Sequence, residues 1–61
     1  MSLQDEMVQY RARNKMSQTE FAEKVGVTLQ TINSVENGHQ TPSKVTEAKI
    51  RLVLDSDKRG D

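Results

Sequence analysis

Two helix signals, each an N-cap residue followed by a glycine, constrain this chain more than any other feature. They lie in residues 17–38, SQTEFAEKVGVTLQTINSVENG. Ser17 is followed three residues later by a glutamate, which is the S-x-x-E pattern of a helix N-terminal capping box. Thr28 is a second candidate N-cap, while Gly26 and Gly38 tolerate the positive φ with which helices commonly end. The intervals between these signals leave room for two helices of about two turns each, joined by a tight turn.

The apolar residues of this segment have the spacing needed to pack two short helices on one core. Their positions are Phe21, Ala22, Val25, Val27, Ile32 and Val35. Ala22 is the small side chain that a close helix crossing needs, and Ile32 and Val35 anchor the second helix. Together with the turn glycine, this pattern predicts a helix-turn-helix at about residues 17–37.

The residues before the capping box predict a first helix over about 3–14. They contain no Gly or Pro, and Leu3, Met7 and Val8 follow helical spacing. Acidic residues come early and basic residues late, which suits the helix macrodipole.

A fourth helix is predicted after the loop HQTP. Ser43 is its candidate N-cap, and we expect the helix to end near Leu54. The apolar stripe predicted to face the core is Val45, Ala48 and Leu52.

The chain of 61 residues has room for one small domain. The expected fold is all-α, a compact bundle of four helices, or five, over residues 1–55. A polar, flexible tail is expected at residues 56–61.

Composition argues against several classes of function. There is no cysteine and one histidine, and no Gly-rich phosphate loop or paired carboxylates are evident. We therefore expect no enzyme, no metal site, no cofactor and no small-molecule ligand. No apolar run approaches the roughly 18–20 residues needed to cross a bilayer, so we expect no membrane association and a cytoplasmic location.

Nine basic and nine acidic residues give a net charge of zero, which at first sight counts against a nucleic-acid partner. The distribution is uneven, because Glu36 is the only acidic residue between Lys24 and Thr46. The central segment is therefore locally cationic, through Lys24, Lys44 and potentially His39.

The stretch MSQTEFAEKVGVTLQTINSVENG resembles the helix-turn-helix of the phage Cro and repressor family of bacterial and phage transcriptional regulators. The resemblance covers about residues 7–43 and rests most clearly on SQTEFAEKVGV and on the closing ENG. After Pro42, the apolar residues Val45, Ala48 and Leu52 fall on a slightly different helical phase from the one usual in the family. The resemblance implies a double-stranded DNA operator as partner, with the third helix in the major groove.

That helix carries uncharged polar residues on the side opposite Ile32 and Val35. Amide side chains match the donor and acceptor groups of base edges, so Gln30 and Asn33 are the leading candidates for base reading. Ser34 is a candidate for a base or a phosphate. Leu29 either contacts a thymine methyl group or has no base preference.

The remaining candidates follow mainly from the resemblance. Contacts to the DNA backbone are expected from Gln18, Thr28, Thr31, Asn37, His39 and Lys44. In the family, an arginine in the first helix commonly pairs with the glutamate before Asn-Gly, which implies a structural salt bridge between Arg11 and Glu36. A homodimer on paired half-sites is expected, with Val53 and Leu54 as candidate contacts because they lie outside the predicted core stripe.

The sequence thus predicts a repressor-like transcriptional regulator. Two alternatives stay open: a protein-interaction module such as an antitoxin or co-regulator with the same fold, and the amino-terminal domain of a longer repressor.

Overall fold

The computed structural model describes the backbone of residues 2–59 and the side chains of residues 2–56. Every regular element in this part of the chain is a helix, which confirms the all-α prediction. The bounds are α1 (Leu3–Arg13), α2 (Gln18–Val25), α3 (Leu29–Glu36) and α4 (Lys44–Arg59). No fifth helix occurs within residues 2–59.

The predicted capping box at the start of α2 is confirmed. The Glu20 N–H donates to Ser17 Oγ at 3.1 Å, and the Ser17 N–H donates to Glu20 Oε1 at 2.9 Å. The helix ends at Gly26, whose φ of 91° is in the left-handed region that favours glycine. The tight turn between α2 and α3 therefore follows from local sequence.

The predicted caps of α3 and α4 are confirmed in the same way. Thr28 Oγ1 accepts a hydrogen bond from the Thr31 N–H at 3.2 Å. Ser43 Oγ accepts one from the Thr46 N–H, also at 3.2 Å. Each hydroxyl satisfies a first-turn N–H that has no carbonyl partner within its helix.

One core joins all four helices. Its buried members are Met7, Tyr10, Phe21, Ala22, Val25, Ile32, Val35, Ile50 and Leu54. The apolar positions predicted for the helix-turn-helix are all in this core except Val27, which is partly buried and packs against it. In α1, Val8 is exposed, and Tyr10 is the residue that joins Met7 in the core.

The predicted core stripe of α4 is wrong. Val45, Ala48 and Leu52 are all exposed, whereas Ile50 and Leu54 are buried. This helix carries apolar residues of helical spacing on two different faces, and the packing of the whole core decides which face is buried.

The same result corrects one of the two predicted dimer contacts, Leu54. Leu54 is 3% exposed and packs inside the core of its own chain, so its side chain is unavailable to a second copy. Val53 is partly buried against that core.

The predicted end of α4 near Leu54 is also wrong, because the helix continues to Arg59. No Gly or Pro lies between Pro42 and Gly60, so the sequence offers no stop signal within α4. Residues 60 and 61 of the predicted tail lie outside the described residues.

Candidate nucleic-acid interface

The outer face of α3 is the most distinctive polar surface of the molecule. Ile32 and Val35 are buried on the inner side, while Leu29, Gln30 and Asn33 are exposed on the other. Glu36, at the final position, is the only charged residue of α3. The face therefore presents amide, hydroxyl and aliphatic groups.

The one acidic residue of α3 is held by a bidentate ion pair. Arg11 Nη2 lies 2.7 Å from Glu36 Oε1, and Arg11 Nε lies 2.8 Å from Glu36 Oε2. The side chain of Glu36 is 5% exposed and that of Arg11 is 21% exposed. The hydrogen bond that Arg11 donates to Glu36 and the negative charge of that carboxylate raise the pKa of Arg11, against an opposing effect of burial. The pair joins α3 to α1 and neutralises the acid nearest the polar face.

A chain of amide side chains begins at the same carboxylate. Gln18 Nε2 donates to Glu36 Oε1 at 3.1 Å, and Gln18 Oε1 accepts from Asn33 Nδ2 at 3.2 Å. Asn33 Oδ1 in turn accepts from Asn37 Nδ2 at 3.0 Å. The structure thus brings together three residues that were predicted as separate DNA contacts. The i,i+4 spacing of Asn33 and Asn37 favours their pairing, but the link to Gln18 depends on how α2 packs on α3.

Two threonines close the N-terminal end of α3. Thr28 and Thr31 are linked by a hydrogen bond of 2.9 Å between their hydroxyl oxygens, in addition to the cap described above. Gln30 makes no side-chain hydrogen bond within the described part of the chain. It therefore differs from Asn33, whose amide is already engaged on both sides.

The loop after α3 turns at Gly38, which has a φ of 76°. A Cβ at this position would lie 3.0 Å from Gln4 Nε2, an atom that donates to the Val35 carbonyl at 3.0 Å. Gly38 is therefore favoured by its left-handed backbone conformation, and a Cβ there would require the flexible end of the Gln4 side chain to shift by a few tenths of an ångström. His39 and Lys44, on either side of the remaining loop residues, are exposed.

The structure places the candidate residues in distinct settings. Leu29, Gln30 and Asn33 share the exposed face of α3, with Ser34 partly buried at its edge. Gln18 and Asn37 border this face through their hydrogen bonds to Asn33, and Thr28 and Thr31 form its N-terminal end. His39 and Lys44 lie beyond its C-terminal end.

Neither a metal-binding cluster nor a membrane-spanning helix is found in the described part of the chain. No three His, Cys, Asp or Glu side chains there are grouped so that they could hold a metal ion. None of the helices found there has both the length and the apolar character of a membrane span.

Comparison with known proteins gives one match. A helix-turn-helix family profile aligns with residues 7–56, which is most of the chain and includes α2, the turn and α3. Searches of curated proteins and of solved structures returned no significant match. Because the family match spans far more than half of the sequence and agrees with the capped helices, the tight turn and the buried positions, this chain belongs to the Cro/C1-type helix-turn-helix family.

Proposed function

We propose that this chain is a sequence-specific double-stranded DNA-binding regulator that inserts α3 into the major groove. The family is one of DNA-binding domains in general. The observation that carries the specific proposal is the outer face of α3, which is exposed and polar and carries no uncompensated charge. Base edges in the major groove display donors, acceptors and thymine methyl groups, and the side chains of this face are suited to each of them.

In this proposal, Gln30 and Asn33 form hydrogen bonds with base edges. Leu29 contacts a thymine methyl group or has no base preference. Ser34, at the edge of the face, bonds a base or a phosphate. Contacts to the DNA backbone come from Gln18, Thr28, Thr31, Asn37, His39 and Lys44. The N-termini of α2 and α3 add backbone N–H groups, which together with the helix dipole favour phosphate.

The regulatory mechanism is steric. A protein bound at a promoter blocks or recruits polymerase, as a repressor-like regulator does. We place the chain in the cytoplasm of a bacterium or a phage-infected cell, where such an operator would be found.

We further propose that two copies bind paired half-sites, because one domain of this size makes few DNA contacts. The proposed contact is the exposed stripe Val45, Ala48 and Leu52, whose spacing of three and four residues is that of a coiled-coil seam. Lys44 and Asp55 are exposed about three helical turns apart, on nearly the same side of α4. Antiparallel packing would therefore set Lys44 of each copy beside Asp55 of the other.

The dimer surface is small compared with the roughly 1,200–2,000 Å² that a stable interface buries. We therefore expect the copies to pair when DNA brings them together, and to be mostly monomeric in dilute solution.

Selection of bound duplexes from a random pool tests the function. We expect an enriched site with two related halves about one helical turn apart. A Gln30→Ala variant should lose discrimination worth about 1–3 kcal/mol at one base pair of each half, whereas the matched change Gln9→Ala on α1 should not. A pool that shows no enrichment with the unmodified protein would refute sequence-specific binding.

Salt dependence separates this function from a protein-interaction module with the same fold, the alternative that the zero net charge favours. Affinity for duplex DNA must fall steeply as salt rises, because bound phosphates release counterions. A partner that packs on α3 through apolar contacts would show little such dependence. The length of the natural gene decides whether this domain heads a longer repressor.

A further inference from the structure

The hydrogen bonds beneath the polar face form one continuous chain. Asn37 donates to Asn33, Asn33 donates to Gln18, and Gln18 donates to the Glu36 carboxylate, with distances of 3.0, 3.2 and 3.1 Å. Arg11 holds the far side of that carboxylate with two bonds of 2.7 and 2.8 Å. The chain therefore starts at a part-buried ion pair and ends at the exposed amide of Asn37, directly after α3.

The direction of this chain is fixed by chemistry. An ionised carboxylate can only accept hydrogen bonds, whereas an amide side chain has a donor end and an acceptor end. Gln18 must therefore turn its NH₂ group to Glu36, which leaves its oxygen for Asn33. Asn33 must then turn its own NH₂ group to Gln18 and its oxygen to Asn37. One anion thus sets the orientation of two successive amides.

Asn33 keeps free capacity in this orientation. A primary amide has two N–H donors and two acceptor lone pairs. The chain uses one donor and one acceptor of Asn33, so one of each remains for a ligand. The NH₂ end lies toward α2, because it bonds Gln18, and the oxygen lies toward the C-terminal end of α3, because it bonds Asn37.

We infer that Gln18 is a positioning residue for base recognition, which sets Asn33 to read adenine in one orientation of an A·T pair. Adenine presents the N7 acceptor beside the N6 donor in the major groove, which complements the free donor and acceptor of Asn33. An amide rotated by 180° would offer these groups in reverse order. This inference rests on the proposed function and goes beyond it, because it assigns Gln18 to specificity in addition to backbone contact.

The test compares Gln18→Met with the unmodified protein. Methionine keeps the length and bulk of glutamine but can neither donate to Glu36 nor accept strongly from Asn33. Selection with an Asn33→Ala variant first identifies the base pair that Asn33 reads, as the position where preference disappears. Binding is then measured for duplexes carrying each of the four base pairs at that position. Thr19→Ala, at the next residue of α2, is the matched control.

We expect the unmodified protein and Thr19→Ala to prefer adenine on one strand by roughly tenfold or more, the usual value of a good bidentate contact. Gln18→Met should bring the A·T and T·A duplexes to within about threefold of each other, because the Asn33 amide is then free to rotate and can match adenine on either strand. Thermal unfolding of each variant verifies that the domain remains folded.

A different pattern overturns the inference. If Gln18→Met weakens binding to all four duplexes equally and keeps the adenine preference, Gln18 contacts phosphate only. If the unmodified protein shows no preference that depends on Asn33, the inference also fails. Absence of any duplex binding at low salt would instead reject the proposed function, and the inference with it.

A measurement on the free protein tests the chain without DNA. The two Nδ2 proton resonances of Asn33 should be well separated in the unmodified protein, since one proton is hydrogen-bonded to Gln18. The separation between these two resonances should decrease in Gln18→Met and remain large in Thr19→Ala. Unchanged resonances in Gln18→Met would show that Gln18 does not orient this amide.

Discussion

At the scale of single residues, Arg11 links α1 to two other parts of the chain. It pairs with Glu36 on α3, and its Nη1 also donates to the Met16 carbonyl at 3.3 Å in the turn before α2. Its raised pKa means that the pair stabilises the fold fully below the ordinary arginine pKa. That contribution is lost only as the pH rises through the still higher pKa of the folded state, so the charge on Arg11 does not limit stability near neutrality.

Removing one member of this pair should be more harmful than removing both. Arg11→Ala leaves the nearly buried Glu36 without its partner and should cost about 3–5 kcal/mol of unfolding free energy, a large share for so small a domain. The double variant Arg11→Met/Glu36→Met removes the charge as well and should cost less. Denaturant unfolding measures both, and an unchanged melting temperature for Arg11→Ala would contradict a structural role.

Lys15 is the only residue other than glycine with positive φ in the described part of the chain, at 52°. It ends α1 in a Schellman motif. The Met16 N–H donates to the Arg11 carbonyl at 2.8 Å, and the Lys15 N–H donates to the Ala12 carbonyl at 3.3 Å. Glycine is the usual residue at this position because it has no Cβ to strain.

Lys15→Gly should therefore raise the unfolding free energy by roughly 0.5–1 kcal/mol, after allowance for the greater freedom of glycine in the unfolded chain. Lys15→Ala is the control, since it removes the charged side chain but keeps the Cβ. Equal melting temperatures for the two variants would show that the backbone conformation carries no strain.

At the scale of elements, the four helices differ in how far residues close in sequence determine their bounds and their buried face. Caps and glycines mark the bounds of α2 and α3, and these signals lie within a few residues of the bonds that they form. The burial of α4 could not be predicted in the same way. Its two apolar stripes have the same period, so periodicity indicates a helix without indicating which face packs.

A matched pair of leucines tests the observed phase of α4. Leu54 is 3% exposed and Leu52 is 71% exposed. Leu54→Ala should cost about 2–5 kcal/mol because it leaves a cavity in the core, whereas Leu52→Ala should change stability by less than about 0.5 kcal/mol. Comparable losses from both substitutions would show that α4 packs in another phase.

At the scale of the whole molecule, two exposed surfaces of the described residues bear on the proposed function. One is the polar face of α3, and the other is the apolar stripe of α4 with Val45, Ala48 and Leu52. In the proposed function the first surface contacts DNA and the second contacts another copy.

The apolar stripe of α4 should affect affinity only for duplexes that carry two half-sites. Leu52→Lys places a charge in the proposed seam and should abolish the gain in affinity of a duplex with two half-sites over a duplex with one. Val8→Lys makes the same change at an exposed apolar residue of α1 and should leave that gain intact. Equal cooperativity in Leu52→Lys and the unmodified protein would exclude this dimer contact.

The sequence by itself determined the helices, their caps, the tight turn at Gly26 and the face of α3 that enters the core, because these depend on bonds and periodicities within a few residues. Tertiary structure alone decided the face that α4 buries, the placement of Leu54 in the core, and the joining of Gln18, Asn33 and Glu36 in one chain. Such features depend on the angle at which separate helices meet, and that angle is set by the packing of the whole core.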